Sequence, residues 1–184
     1  MKKICQKFAA ISAIAFAVIG LPTQAQAVVI DFEELPHDQE LQGAGDIVLS
    51  KGYQLTYAPA PDEPYPVGFH IVGPSWAFNG RSAALVANSC GATITMTAQD
   101  NNPFTLKSID LAGLNGDANV AVAFTGITTN GATVQSVVNL SNQGNWQRIP
   151  FPPRFRNLHS VTWVQGDCIT NFPHMFDNVS VFPR

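Results

Sequence analysis

The chain has 184 residues, of which 46% are hydrophobic and only 12% are charged, and its formal net charge is −3. A chain of this length suits one domain with a single sizeable core. The negative balance argues against electrostatic binding to nucleic acid or to an anionic membrane surface, so we expect a neutral or cationic partner.

Residues 1–27 have the layout of a secretory signal peptide. A basic start with three lysines precedes an apolar stretch that ends at Leu21, and Ala25-Gln26-Ala27 supplies a cleavage pattern of small residues. The apolar stretch of about 14 residues is short against the roughly 20 that span a bilayer, which disfavours the alternative of a retained anchor. We therefore predict export, a mature domain of residues 28–184 without a membrane anchor, and a net charge of −6 after the three lysines are removed.

The remainder of the sequence has the periodicity of strands rather than of helices. Segments of about five to ten residues alternate between apolar and polar side chains and are separated by Gly, Asn, Asp and Pro. This spacing is typical of an all-β domain. The predicted strands are Val28–Glu34, Ile47–Tyr57, Val67–Val72, Ala83–Ala87, Ala92–Thr97, Phe104–Ala112, Ala118–Thr125, Thr133–Leu140, Trp146–Ile149, Ser160–Val164 and Phe172–Phe182.

Several connections carry recognisable signals. The apolar pattern changes phase at Lys107-Ser108, which predicts a β-bulge. Asn115-Gly116-Asp117 and Thr129-Asn130-Gly131 contain residues that tolerate positive φ and predict tight turns between antiparallel strands. The four prolines between Ala58 and Pro66 predict an extended surface loop, because proline removes a donor from the ladder.

Both terminal strands carry a carboxylate within an apolar run. Asp31 and Glu33 lie in the first strand and Asp177 in the last, and burying a carboxylate is costly unless its charge is compensated. A shared Ca²⁺ ion is the simplest compensation, since hard oxygen ligands suit this cation. We therefore expect the two ends of the domain to lie side by side. The alternative is a solvated acidic edge in which Glu33 pairs with Arg81.

The mature domain retains two cysteines, Cys90 and Cys168. In an exported protein two cysteines most often form a disulfide, and closing so long a loop stabilises the fold by roughly 4 to 5 kcal/mol. Two free thiols are the alternative.

Four aromatic residues are candidates for ligand contact. Sugar-binding β-sandwiches place an exposed ring against a pyranose face, with amides and carboxylates beside it. Tyr65, Phe69 and Trp76 flank or follow the proline-rich segment, and Trp146 begins a short strand. The alternative is that these rings belong to the core, with Trp76 closing one end of the sandwich.

No catalytic set is recognisable, and we expect a binding domain rather than an enzyme. The four histidines lack the spacing of a metalloprotease site, and no nucleophile-elbow sequence is present. A glycoside hydrolase built on two carboxylates from different strands is the remaining catalytic alternative.

Five segments together resemble a known group of folds. They are Ile30-Asp31-Phe32-Glu33, Asn79-Gly80-Arg81-Ser82-Ala83-Ala84-Leu85, Pro103-Phe104-Thr105-Leu106-Lys107-Ser108-Ile109-Asp110-Leu111-Ala112, Leu158-His159-Ser160-Val161-Thr162-Trp163 and Phe176-Asp177-Asn178-Val179-Ser180-Val181. In this order they are similar to jelly-roll β-sandwiches of the galactose-binding-like and carbohydrate-binding-module type, and to exported bacterial proteins that often carry a PEP-CTERM sorting tail.

The resemblance implies a two-sheet antiparallel sandwich with a structural Ca²⁺. Its ligands would be Glu33 and Asp177, with Asp31 as a third candidate. Since no sorting helix follows Phe182, we expect a secreted or periplasmic protein. The leading hypothesis is a non-catalytic module for a neutral polysaccharide or another extracellular polymer. The alternative is a structural or adhesive matrix protein that makes only protein contacts.

Overall fold

The computed structural model describes residues 26–61, 63, 67–76, 83–87, 89–115, 120–140, 145–169 and 171–184. The described residues form strands and no helix, so none of them forms a helix able to cross a membrane. The strands are β1 (Val28–Ile30), β2 (Leu41–Gly45), β3 (Ile47–Ser50), β4 (Tyr53–Ala58), β5 (Phe69–Val72), β6 (Ala84–Ala87), β7 (Thr93–Ala98), β8 (Phe104–Gly113), β9 (Val120–Thr128), β10 (Thr133–Leu140), β11 (Gln147–Pro150), β12 (Leu158–Val164) and β13 (His174–Pro183). Most of the predicted signal, Tyr65, Arg81 and part of the predicted turn after Asn115 lie outside these ranges.

The strands form two layers, in which every strand pairing is antiparallel. The first sheet has the order β2-β5-β6-β13-β8-β11, with β1 also on β13, and the second has the order β3-β4-β7-β12-β9-β10. A single residue pair, Leu158 with Phe104, connects β12 to β8 and thereby joins the layers. Side chains from the inner faces of both layers form one buried core. The predicted two-sheet antiparallel β-sandwich is confirmed.

The two ends of the domain lie side by side, as the sequence predicts. Val28 is the register partner of Val181, and Ile30 is the partner of Val179. Beyond the end of β1, the ring of Phe32 packs edge-on against that of Phe176, with 5.8 Å between centroids.

Strand β1 ends at Ile30 rather than at the predicted Glu34. Phe32 has a left-handed backbone with φ of 57°, and its carbonyl accepts a hydrogen bond from the Leu35 amide at 3.0 Å. A residue with a left-handed backbone interrupts a strand. The acidic segment after Phe32 therefore forms turns and does not continue the pairing with β13.

The ladder between β8 and β13 changes register twice. Lys107 occupies the extra position in β8, which confirms the predicted bulge, and Asn178, with φ of 48°, lies in the bulge of β13. Lys107 is exposed, whereas Leu106 and Ile109 on either side of the bulge are buried. The bulge therefore turns the lysine out of the sandwich without moving its apolar neighbours out of the core.

Two further differences from the predicted strands concern β2, β3 and β4. The predicted strand Ile47–Tyr57 is a hairpin of β3 and β4, turned at Lys51-Gly52, where both residues have positive φ. Strand β2 was not predicted, because its two glycines, Gly43 and Gly45, give it little of the apolar alternation that marks a strand.

A disulfide joins Cys90 to Cys168 across 78 residues. It links the connection between β6 and β7 to the connection between β12 and β13. Next to it, the Gly91 amide donates a hydrogen bond to the Gly166 carbonyl at 2.7 Å.

Candidate functional site

The outer face of the first sheet carries a second apolar cluster. Because side chains alternate along a strand, Phe176 points into the main core while Met175 and Asp177 point to the opposite face. The buried members of this outer cluster are Val72, Ala84, Val86, Ala112, Leu114 and Met175.

Trp76 and Trp146 both pack against the outer cluster, although 69 residues separate them in the chain. Trp76 follows β5, and its indole N–H donates to the Leu114 carbonyl at 3.1 Å. Trp146 immediately precedes β11, the strand that pairs with β8. Both side chains are half-buried. The fold thus brings two of the four aromatic candidates to one sheet face and leaves each partly accessible.

The other two aromatic candidates do not join them. Phe69 is fully buried, and its ring lies 6.0 Å from that of Tyr57 in the main core. It faces the same way as Ile71, one alternation further along β5, and is therefore a core residue that offers no ring face to a ligand. Tyr65 lies outside the described residues.

Beside the outer cluster lie two buried carboxylates. Asp110 on β8 and Asp177 on β13 are register partners, 2% and 3% exposed respectively. The side-chain Nδ2 of Asn178 donates to Oδ2 of Asp110 at 3.2 Å and to Oδ2 of Asp177 at 2.8 Å. The backbone N–H of Asn178 donates to Oδ1 of Asp177 at 2.6 Å. Asp177 is therefore hydrogen-bonded within its own bulge.

Arg148 on β11 compensates part of this negative charge. Its Nε donates to Oδ1 of Asp110 at 3.0 Å, and this hydrogen bond raises the pKa of the guanidinium. Sequence reasoning did not single out Asp110, although the signal was present. It is a lone carboxylate between two apolar residues, Ile109 and Leu111, within a predicted strand.

The three carboxylates predicted to bind calcium have protein partners. Asp31 forms an ion pair with Lys51 at 3.6 Å, and Glu33 accepts a hydrogen bond from the Ala83 amide at 3.3 Å. In the described part of the chain, no three His, Cys, Asp or Glu side chains are grouped so that they could hold a metal. Asp31, Glu33 and Asp177 thus each contact protein groups, and calcium binding by these carboxylates stays a prediction.

His174, at the start of β13, is fully buried. Burial lowers the pKa of His174 to about 3, which keeps the imidazole neutral at neutral pH. Its position is fixed through the backbone, because the Gln165 side chain accepts from the His174 amide at 2.9 Å and donates to its carbonyl at 3.0 Å. The histidine is thus a component of the packing at this end of the sandwich.

The outer face of the second sheet has a different character. Its six strands contain no Asp, Glu, Lys or Arg. Across four neighbouring strands the register aligns one threonine on each, and two of them, Thr95 and Thr162, approach within 3.4 Å through their hydroxyl oxygens. The aligned residues are Thr56, Thr95, Thr162 and Thr125. Hydroxyl groups therefore form a row across this face.

Comparisons with known proteins give only distant matches. No family model matches the sequence, and no curated protein matches it. Similar solved structures include family 29 carbohydrate-binding modules. One mutant module has a TM-score of 0.49 and 11% identity, covering 87% of this chain and 86% of that one. Another, complexed with cellulohexaose, has a TM-score of 0.46 and 13% identity, covering 88% and 92%.

Proposed function

We propose that this protein is an exported, non-catalytic binding domain for a carbohydrate or another extracellular polymer. The observation that supports the proposal is the convergence of Trp76 and Trp146 on one apolar cluster of the first sheet, with both rings half-buried. An indole that is anchored on one side and accessible on the other is suited to stack on a sugar ring. The disulfide between Cys90 and Cys168 suits an oxidising compartment and supports export.

Polar groups beside the rings supply the second element of such a site. Arg148 lies two residues after Trp146 and so on the same side of β11. Its side chain is 67% exposed while its Nε is fixed on the buried Asp110. The remaining guanidinium donors can reach hydroxyl oxygens of a polymer stacked on Trp146.

The experiment is a binding assay of the mature domain on a panel of neutral polysaccharides. We expect Trp76→Ala and Trp146→Ala each to weaken binding about fivefold, since a ring contact contributes on the order of 1 kcal/mol. Val137→Ala, at an exposed position of the second sheet, is the matched control and leaves binding unchanged.

Because both indoles also pack on the outer cluster, each variant is checked by urea unfolding. Trp146→Phe keeps an aromatic ring over the cluster and should retain more affinity than Trp146→Ala. Folded Trp76 and Trp146 variants that bind as well as the wild type, or a wild-type domain that binds nothing in the panel, would refute the proposal.

The calcium site stays part of the proposal as a prediction from the sequence. If Ca²⁺ joins Glu33 and Asp177, chelation lowers the melting temperature, and Asp177→Asn removes this sensitivity. Glu63→Gln, in the proline-rich segment, is the control variant and keeps it. Identical melts with Ca²⁺ and with chelator would exclude the ion.

A second candidate function is that of an adhesive or structural matrix protein. It is favoured by the second sheet, whose uncharged outer face exposes large apolar side chains at Ile47, Leu49, Val137 and Val164. Apolar surface of this kind promotes association between proteins. We expect Leu49→Lys to abolish any concentration-dependent association seen by sedimentation, while Val29→Lys, on the first sheet, preserves it. A wild-type domain that stays monomeric at high concentration would exclude this candidate.

A further inference from the structure

A cavity opens where the bulge of β8 meets the segment after β11 and the end of β13. Its volume is about 530 Å³, which is within the usual range for small-molecule sites. Three cationic residues line it, Lys107, Arg156 and Arg184, together with Phe151 and Phe182. No Asp or Glu side chain is among the lining residues.

The grouping of these cations is unexpected for an acidic chain. Only six Lys and Arg residues occur in the described ranges, and half of them line this one cavity. Lys51 and Arg148 have carboxylate partners. Within the described residues, none of the three cavity cations forms an ion pair with an Asp or Glu side chain. Their charge is therefore available to a ligand.

The walls of the cavity are held in place by backbone hydrogen bonds. The Phe151 amide donates to the Lys107 carbonyl at 2.8 Å, and the Leu106 amide donates to the Phe155 carbonyl at 3.0 Å. At the other wall, the Arg184 amide donates to the Pro103 carbonyl at 3.1 Å. These contacts preorganise the site, which reduces the entropy lost on binding.

The bulge aims Lys107 at this cavity. Its Nζ lies 5.1 Å from the centroid of the Phe182 ring, so the ammonium and an aromatic ring occupy the same wall. An ammonium beside an aromatic ring can hold an anionic substituent while the ring contacts the C–H groups of the same molecule.

We propose that this cavity is a binding site for an acidic sugar residue, a ring that bears a carboxylate or sulfate group. Guanidinium and ammonium donors bind such anions through charge-assisted hydrogen bonds, and Phe151 and Phe182 provide apolar contact for the sugar ring. The negative net charge of the chain does not exclude this ligand, because a local cluster of cations sets the potential within the cavity. The site is separate from the one around Trp76 and Trp146.

The test is calorimetric titration of the full chain with an oligogalacturonate, a sulfated oligosaccharide and a neutral oligosaccharide of equal length. We expect one or both acidic ligands to bind and the neutral one not to bind at this site. Lys107→Gln combined with Arg156→Gln should weaken acidic binding about tenfold, as expected for the loss of two accessible ion pairs. Affinity should also fall as the salt concentration rises.

Arg154→Gln is the matched control. Arg154 is also exposed, but its guanidinium donates to the Gln135 carbonyl and it does not line the cavity. We expect Arg154→Gln to bind acidic ligands as well as the wild type does, which attributes a loss of binding in the double variant to the cavity. The proposal would be overturned if neither acidic ligand binds, or if the double variant binds as well as the wild type. It would also be overturned if Arg154→Gln loses as much affinity as the double variant.

Discussion

Asp110 on β8 lies directly opposite Asp177 on β13, and both carboxylates are buried. Like charges at paired positions of neighbouring strands destabilise a sheet. Here the bulge at Asn178 places one amide group between the two carboxylates, and Arg148 reaches the first of them from the neighbouring strand. Among the described residues, the side chains of Asn178 and Arg148 therefore offset part of the cost of this buried pair, and each can be removed by substitution.

Asn178→Gly should lower the free energy of unfolding by about 1 to 3 kcal/mol. Glycine tolerates the positive φ at this position but removes the Nδ2 donor that two buried carboxylates share. Urea unfolding measures the loss. Asn157→Gly, at another left-handed asparagine with φ of 52°, is the control and should change stability by no more than about 0.5 kcal/mol. Equal effects at both positions would show that the amide does not compensate the carboxylates.

Arg148→Gln should destabilise the fold by roughly 1 to 3 kcal/mol, because Asp110 loses a charged hydrogen-bond donor while remaining buried. Arg154→Gln also removes an exposed arginine, but one without a described carboxylate partner, and should cost at most about 0.5 kcal/mol. Chemical denaturation of both variants at one pH compares them. A neutral Arg148→Gln would mean that Asp110 does not depend on this arginine.

Acid should destabilise the protein through His174. The folded pKa, about 3, lies below that of the unfolded chain, so this stabilising contribution is complete above pH 6.5 and is lost as the pH falls. From pH 7.5 to pH 5 we expect the free energy of unfolding to fall by about 2 kcal/mol from this group. His174→Leu removes this share of the pH dependence in urea titrations. If the wild type and the variant have the same slope, His174 is not the cause.

Loss of the disulfide should be costly. Replacing both Cys90 and Cys168 by serine frees a long loop in the unfolded chain, which should lower stability by about 4 kcal/mol. The comparison is between the double variant and the oxidised wild type, and treating the wild type with a reductant should produce the same decrease in melting temperature. A reductant that shifts the mobility on a gel, and so breaks the bond, without changing the melting curve would show that the bond does not stabilise the isolated domain.

Some features of the fold were predictable because they are local. The phase change at Lys107-Ser108 marked a bulge, and Thr129-Asn130-Gly131 marked the turn between β9 and β10. Each of these two signals depends on only a few consecutive residues. Strand β2 has no such local signal, because its glycines give it no alternating apolar pattern. It forms a strand because it pairs with β5.

The candidate site was less predictable, because it depends on pairings between distant segments. Trp76 and Trp146 were singled out, but nothing in the sequence places them on one cluster. Phe69 was also singled out for a ligand, and the structure buries it in the core. Whether an aromatic ring is buried in the core or accessible depends on which layer packs over it. The residues next to it in the sequence do not determine this packing.

The amino-acid sequence by itself determined the all-β class and the positions of most strands. These follow from a side-chain period of two and from turn residues that tolerate positive φ. Only the tertiary structure decided that β8 lies between β13 and β11, and hence that Asp110 meets Asp177 and that Lys107, Arg156 and Arg184 share a cavity. The order of strands in a sheet is stabilised by contacts between segments that are far apart in the sequence. No single segment contains both partners of such a contact, so strand order cannot be inferred from local patterns.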